Sequence, residues 1–320
     1  MAAYGEMALD GRIAVVIPAR NAARFLGDAL DSVRAQDLRP AEIVVVDDGS
    51  TDGTGAIATA FGHGVTCLRA GGVGPAAARN IGVRATASPL VAFLDADDIW
   101  LPEKTSRQMM LLAAHPELAL VCSDMRTFEG RSQAPRTHFQ EQGFNGISAA
   151  SSIFLFDMIA TPTVIVRREI LQILGGFDES LTLCSEADLW FRVGLHERFA
   201  AISEPLVMRR YHAGNITRDA VRLSAAIVQT WERYLGPIIE REPHMRRQLE
   251  ADFAARRWQR HCLEGVVALH EGRRPDARRL FVEAIRARPG RARSWAFLAA
   301  SFLGDSALRR LRNAGPGGRH

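Results

Sequence analysis

Val91-Ala92-Phe93-Leu94-Asp95-Ala96-Asp97-Asp98 runs four apolar residues straight into three carboxylates. Preceded by Ser88-Pro89, an apolar run of this length reads as a buried strand. A buried aspartate is costly unless paired or bound to a cation, so the acids belong just past the strand's carboxyl end. Open α/β sheets place their ligands there. Clustered carboxylates suit a hard divalent cation held by oxygen ligands and shared with substrate phosphates. Taken alone, the stretch also fits a loop whose aspartate caps a helix beginning near Pro102-Glu103, and the flanking sequence has to decide.

The flanks decide for the sheet. Upstream, Arg12 to Ile17 is a β-branched run ended by Pro18, and Glu42 to Val46 is a second, ending in Asp47-Asp48-Gly49-Ser50-Thr51-Asp52-Gly53. Between them, Phe25, Leu26, Ala29, Leu30 and Val33 recur with a helical period across 22–35. A short helix from Thr54 to Phe61, a short strand from Val65 to Leu68 and a helix from Pro75 to about Ala85 follow, the last fed by the turn Gly71-Gly72-Val73-Gly74. Downstream, a helix is expected from about Glu103 to Ala114 and a strand from Leu118 to Ser123. Strand and helix alternate over short links, and the strands lack polar alternation. That pattern describes a mainly parallel sheet covered on both faces. Right-handed crossovers then put the strand-end loops on one edge. Pro18 to Asn21, Asp47 to Asp52 and Asp95 to Asp98 should converge there.

Farther along, Phe128 to Gly146 reads as a polar, mobile surface loop. Ser148 to Asp157 reads as a helix, Thr163 to Val166 as a strand, and Arg168 to Leu174 as a helix stopped by Gly175-Gly176. Glu186 to Leu195 is helical, and Pro205 to Tyr211 is a strand. Beyond Arg218 the texture changes to Arg-rich amphipathic helices without strand candidates. Pro275 to Ala287 and Arg293 to Leu303 form a hairpin like one tetratricopeptide unit, which cannot bury its own face alone. The domain reading is a disordered leader at 1–10, an α/β domain at 11–218, a helical extension at 219–303 and a flexible tail at 304–320.

Bulk properties narrow the class. The 320 residues are 47% hydrophobic and 24% charged, ample for a core and ordinary for a soluble chain. Formal net charge is only +4, with arginine pairs crowding the last third. That favours a solvated helix face, or peripheral contact with an acidic surface such as anionic lipid, and no nucleic-acid partner is expected. The four cysteines are far apart, without zinc spacing, and read as free thiols of a reducing compartment. Neither a signal-peptide pattern nor an apolar run of about 20 residues is present. The expectation is a cytoplasmic protein, with peripheral contact at the inner face of the cell membrane left open.

In order and spacing, six segments resemble glycosyltransferase family 2, the GT-A fold that uses nucleotide-sugar donors. They are Val16-Ile17-Pro18-Ala19-Arg20-Asn21, Val46 to Asp52, Gly74-Pro75-Ala76-Ala77-Ala78-Arg79-Asn80, Phe93 to Asp98, Gly175-Gly176-Phe177-Asp178-Glu179, and Glu186-Ala187-Asp188-Leu189-Trp190-Phe191-Arg192. Each is weak alone; six in sequence over roughly 11–217 are specific. The resemblance implies an inverting glycosyltransferase with a nucleotide-sugar donor, most simply a UDP-sugar, and a carbohydrate or lipid-linked sugar acceptor in surface polysaccharide synthesis. It assigns the imide N–H of uracil to Asp48, beside the backbone of Pro18 and Arg20. It places Asp95 near the ribose, with Ala96 beside it, and Mg²⁺ or Mn²⁺ on Asp97, with Asp98 in support. Arg79, at a helix start after a Gly-rich turn, suits phosphate or the acid cluster. His212 stands where many relatives carry a histidine; it is a metal ligand, a phosphate donor or a structural residue. Ser50-Thr51-Asp52 fit a turn, and Trp190 fits the core.

An inverting transfer needs one carboxylate to take the acceptor's proton. Relatives usually carry Glu-Asp ahead of Asp-Leu-Trp with one residue between. Here the pair is Ser185-Glu186, so the implied base is Glu186, one methylene longer than the usual aspartate. Asp188 then suits capping or support.

Other functions fit less well. A nicotinamide dehydrogenase needs a glycine fingerprint after its first strand, where this chain has Pro-Ala-Arg-Asn. A phosphate-receiver domain would be shorter and carry its acids after the first strand. A metal-dependent nucleotidyltransferase shares the cation logic but has no use for the Glu186 helix. The non-enzymatic alternative is a decayed sugar-binding or scaffold protein that works through its helices.

Overall fold

The computed structural model describes residues 13–62, 64–141, 159–212, 219–241 and 243–303. The expected leader, the helix at Ser148–Asp157 and the tail at 304–320 lie outside these residues.

The elements of the first part are β1 (Ile13–Ala19), α1 (Leu26–Arg34), β2 (Glu42–Asp48), α2 (Thr54–Ala60), β3 (Val65–Ala70), α3 (Pro75–Arg84), β4 (Leu90–Phe93) and β5 (Ile99–Trp100). There follow α4 (Lys104–Ala114), β6 (Leu118–Glu129), β7 (Ser132–Gln133), α5 (His138–Glu141), β8 (Ile165–Arg167), α6 (Arg168–Ile173), α7 (Ser185–His196) and β9 (Arg198–Arg210). They build one mixed sheet in the order β3-β2-β1-β4-β8-β6-β9-β5, with β7 hairpinned on β6. β3, β2, β1 and β4 run parallel. β8 is antiparallel between β4 and β6, β9 runs parallel to β6, and β5 closes the edge antiparallel to β9.

Both faces are covered, which explains the missing polar alternation. Ile13, Val15, Ile17 and Ala19 of β1 pack with Leu26, Ala29, Leu30 and Val33 of α1 on one face. On the other, Val44 and Val46 of β2 meet Ala78 and Ile81 of α3. Gly82 lets α3 come close, since a Cβ there would lie 2.3 Å from Val16 Cγ1. The covered α/β sheet and the helical C-terminal region match the expected fold class.

Three local expectations need correction. Phe128–Gly146 is not simply a loop: β6 runs on through Phe128 and Glu129, turns back at Ser132–Gln133, and α5 follows. Backbone pairing to β9 and β7 extends the strand through polar residues whose composition alone argues for solvent. Thr163 lies in a 3₁₀ turn at Thr161–Thr163, and the strand begins only at Ile165. β9 begins at Arg198, not Pro205, because β6 supplies a parallel partner along that length, with register shifts at Ser123–Met125.

The chain divides into two compact units, Met1–Asn215 and Ile216–His320. The second contains α8 (Ala220–Arg241), α9 (Arg246–His270), α10 (Arg274–Ala287) and α11 (Ala292–Leu303). One core cluster joins Ala268 and Leu269 of α9 to Ala277 and Phe281 of α10, and Trp231 and Ile238 of α8 and Leu249 of α9 are buried as well. Gly265 admits the Phe281 ring, and Phe297 of α11 stacks on that ring at 5.4 Å between centroids. Among the described residues no helix is long and apolar enough to cross a membrane. All four cysteines are free thiols.

Candidate active site

The carboxyl ends of β1, β2 and β4 lie side by side, Ala19 opposite Asp47 and Val16 opposite Phe93. This places the three polar loops on one edge. Asn21, in the left-handed region at φ +51°, turns the chain after β1. Its backbone N–H donates to Ser50 Oγ at 2.9 Å, and its Oδ1 accepts from the Thr51 amide at 2.9 Å. Asp52 accepts from the Ala23 amide and from the amide of Thr54, the first residue of α2. Ser50-Thr51-Asp52 therefore fastens the β2 loop to the β1 loop, a structural role beyond the simple turn expected of it. Asp48 is buried, and its two oxygens accept from the Val73 and Gly74 amides at 2.6 and 2.9 Å. The Arg20 guanidinium lies over Gly72 of the same turn. Pro18 is half-buried at the end of β1.

After β4 the three acids occupy different environments. Asp95 and Asp97 are partly exposed, and Asp98 is buried. Burial, then the neighbouring Asp95 and Asp97 charges, push the Asp98 carboxyl well above the usual range. Asp98 accepts the Arg210 amide at 2.9 Å, which ties this loop to the end of β9. Two residues on, His212 Nε2 lies 2.9 Å from Asp97 Oδ2. The Phe25 ring packs on His212 at 4.6 Å between centroids. Ala96 is buried between the acids.

Arg79 projects from α3 into this cluster with only 7% of its surface exposed. Its Nη2 donates to Asp95 Oδ1 at 2.8 Å, and its guanidinium lies 5.5 Å from the Phe177 ring centroid. Burial disfavours its charge, but Asp95 and Glu186 outweigh that and raise its pKa. Arg79 is thus paired with Asp95 and lies within electrostatic reach of Glu186.

Glu186 is partly buried in the first turn of α7, with Ser185 Oγ donating to its Oε2 at 3.3 Å. Cys184, just before that turn, adopts φ +59°, which is strained for a residue with a side chain. Asp188 is buried and accepts Arg192 Nε at 2.9 Å, while Arg192 donates onward to the carbonyls of Leu174 and Gly176. It supports α7 through Arg192, with no side-chain capping bond at the helix start. Trp190 is fully buried against Phe93 and Phe177, in agreement with the core reading.

The structure brings Asp95, Arg79 and Glu186 into one electrostatic group and Asp97 and His212 into contact. It also shows partners that no sequence signal named. Asn80 donates to the Phe177 carbonyl at 2.8 Å and accepts its amide at 2.9 Å. Arg210 donates its Nε to the Asp97 carbonyl at 2.9 Å. Such contacts run to backbone atoms about 100 residues away; Asn80, Phe177 and Asp97 stand inside the motif segments, but nothing in the sequence singled out Arg210. Among the described residues, no group of three or more His, Cys, Asp or Glu side chains is arranged to hold a metal by itself.

The model of Glycosyl transferase family 2 matches residues 14–174 of the chain. An uncharacterized glycosyltransferase of Rickettsia prowazekii is 26% identical over 234 residues, covering 72% of this chain and 73% of its own. A succinoglycan biosynthesis protein, ExoU of Rhizobium meliloti, is 40% identical over 94 residues, 28% of this chain and 27% of its own. Among solved structures, residues 1–349 of TarS from S. aureus with UDP-GlcNAc superpose with a TM-score of 0.67 at 19% identity, covering 94% of this chain and 92% of that one. The mannosyltransferase PcManGT of Pyrobaculum calidifontis, solved with GDP-Man and Mn²⁺, gives 0.61 at 19% identity, covering 95% and 84%. At these identities the superpositions establish the fold.

Proposed function

The chain belongs to glycosyltransferase family 2, and from that membership we propose an inverting, cation-assisted transfer from a nucleotide-sugar, most simply a UDP-sugar, to an acceptor hydroxyl. The approach of His212 Nε2 to Asp97 Oδ2, 2.9 Å, carries this reading. Adjacent ligands on an octahedral cation with bonds of ~2.1 Å lie about 3 Å apart, so both atoms fit one Mg²⁺ or Mn²⁺. Asp97 and His212 would hold the cation, which would be shared with the donor's diphosphate. When bound, the cation offsets the charge that gathers on the departing nucleotide.

The chain's own residues do the rest. Pro18 and Arg20 flank the base, and Asp48 accepts its imide N–H while continuing to hold the Val73 and Gly74 amides; an ionised carboxylate has acceptor capacity for all three. Asp95 and Ala96 lie along the ribose. Arg79, braced by Asp95, keeps positive charge beside Glu186. Glu186 takes the acceptor's proton as its oxygen attacks the anomeric carbon, and the sugar–phosphate bond breaks with inversion. The acceptor is a carbohydrate or lipid-linked sugar, and the succinoglycan relative supports a polysaccharide setting. The test is release of UDP from UDP-sugars with and without Mn²⁺, together with calorimetry of UDP binding. Asp97→Asn should abolish most of the metal dependence. Equal UDP affinity with and without the cation would overturn the cation-assisted reading.

A further inference from the structure

We propose that Arg210 is a positioning residue for the Asp97–His212 pair, the side chain that keeps the two together. The inference rests on reading that pair as the cation site. The two residues come from different segments: Asp97 from the loop after β4, and His212 from the chain leaving β9. Neither segment fixes the other through regular structure beyond the two-residue β5–β9 pairing at Ile99–Trp100. Arg210 spans the gap. Its amide donates to Asp98 Oδ1 and its Nε to the Asp97 carbonyl, both at 2.9 Å. Main chain and side chain of one residue thus hold two successive positions of the acid loop, two residues before His212.

The guanidinium is itself held in place. It lies 5.0 Å from the Phe25 ring centroid and 4.8 Å from that of Phe128, between two aromatic faces. Its Nη2 reaches Asp28 at 2.9 Å. Phe25 also packs against His212, so one ring touches both the positioning arginine and the imidazole. A planar fork with fixed donor directions suits this task; a lysine ammonium cannot fill both rings' faces and keep the carbonyl bond. Asp28 offsets the added positive charge beside a cation site.

The test uses the full chain and Mn²⁺ itself as probe. Free Mn²⁺ is followed by its paramagnetic resonance signal in the presence of saturating UDP, with UDP binding without metal and thermal melting measured alongside. Arg210→Lys should weaken Mn²⁺ binding by about 10- to 100-fold, the usual effect of removing a group that orients a ligand. UDP affinity without metal should not change, and donor KM should rise in a way that added Mn²⁺ restores. Phe128→Leu, which removes one face of the clamp, should shift Mn²⁺ binding in the same direction by less, and serves if the lysine variant does not fold. Mn²⁺ affinity unchanged in a folded Arg210→Lys or Phe128→Leu protein would overturn the proposal, even with a lowered melting temperature. Absence of Mn²⁺ binding by the unmodified chain with UDP would overturn the cation reading and this inference together, and it is seen without any variant.

Discussion

Glu186 carries the sharpest prediction at the scale of single residues. It sits in the first turn of α7, within electrostatic reach of Arg79, and has the reach of a glutamate where relatives usually have aspartate. Glu186→Gln preserves shape and hydrogen bonding but cannot accept a proton. It should leave UDP binding intact and lower turnover ~10²- to 10⁴-fold. Glu186→Asp should keep partial activity, because a gap of ~1 Å can cost about 10²-fold. Product anomeric configuration by NMR checks the same step: retention would remove Glu186 as base in a single displacement. Asp48 teaches a different lesson. Its place at the end of β2 was legible, but its two backbone partners were not, because the Gly71–Gly74 turn shows in sequence only as a flexible link. Asp48→Ala should therefore lower the melting temperature modestly as well as UDP affinity, since it removes the carboxylate that the Val73 and Gly74 amides share in a turn open to water. A variant that lost UDP affinity with an unchanged melting curve would show the turn to be independent of Asp48.

Between elements, polar side chains fix joints that hydrophobic periodicity cannot reveal. Asn80 joins α3 to the segment between α6 and α7, and a Cβ on Gly176, at φ +72°, would lie 2.6 Å from Asn80 Oδ1. Asn80→Ala should cost about 2 kcal/mol or more by leaving the Phe177 amide and carbonyl unpaired, measured by chemical denaturation. A cost below about 0.5 kcal/mol would mean that water replaces it. Glu42, at the start of β2, accepts from the Ala87 and Ser88 amides and from the Ser88 hydroxyl. Burial pushes its pKa up, but these bonds and the Arg168 charge outweigh that and hold it below its ordinary value. A depressed carboxylate stabilises above its unfolded pKa of about 4.3, and that contribution is lost as pH falls through the folded value. Glu42→Gln should flatten the fall in melting temperature below about pH 4.5, and an unchanged slope would count against this link. The long periodic elements, α1, α3 and α7, and the apolar strands β1, β2 and β4 were readable because their own side chains set them. β5 was missed, and the lengths of β6 and β9 were underestimated, because each depends on a partner strand distant in sequence.

At the scale of the molecule, composition separates what the two halves can do. Residues 1–218 carry 20 Lys and Arg against 25 Asp and Glu, a net of −5; residues 219–303 carry 16 Arg against 10 acids, a net of +6. Several exposed arginines pair within their own helices, Arg279 with Asp276 and Arg286 with Glu283. Exposed pairs of this kind are worth at most about 1 kcal/mol, so they do not prevent the arginines from meeting a stronger anion. We propose that the helical unit supplies contact with an anionic membrane surface while the sheet unit binds the donor. The full chain should then sediment with vesicles rich in anionic lipid at low ionic strength and release at about 0.5 M salt, where screening acts over only a few ångströms. A fragment of residues 1–218, net negative, should stay in solution at both salts yet keep Mn²⁺-dependent UDP binding. Equal sedimentation of the full chain with neutral vesicles would point to apolar adhesion instead, and sedimentation of the fragment would move the contact to the sheet unit; either result would overturn this division of labour.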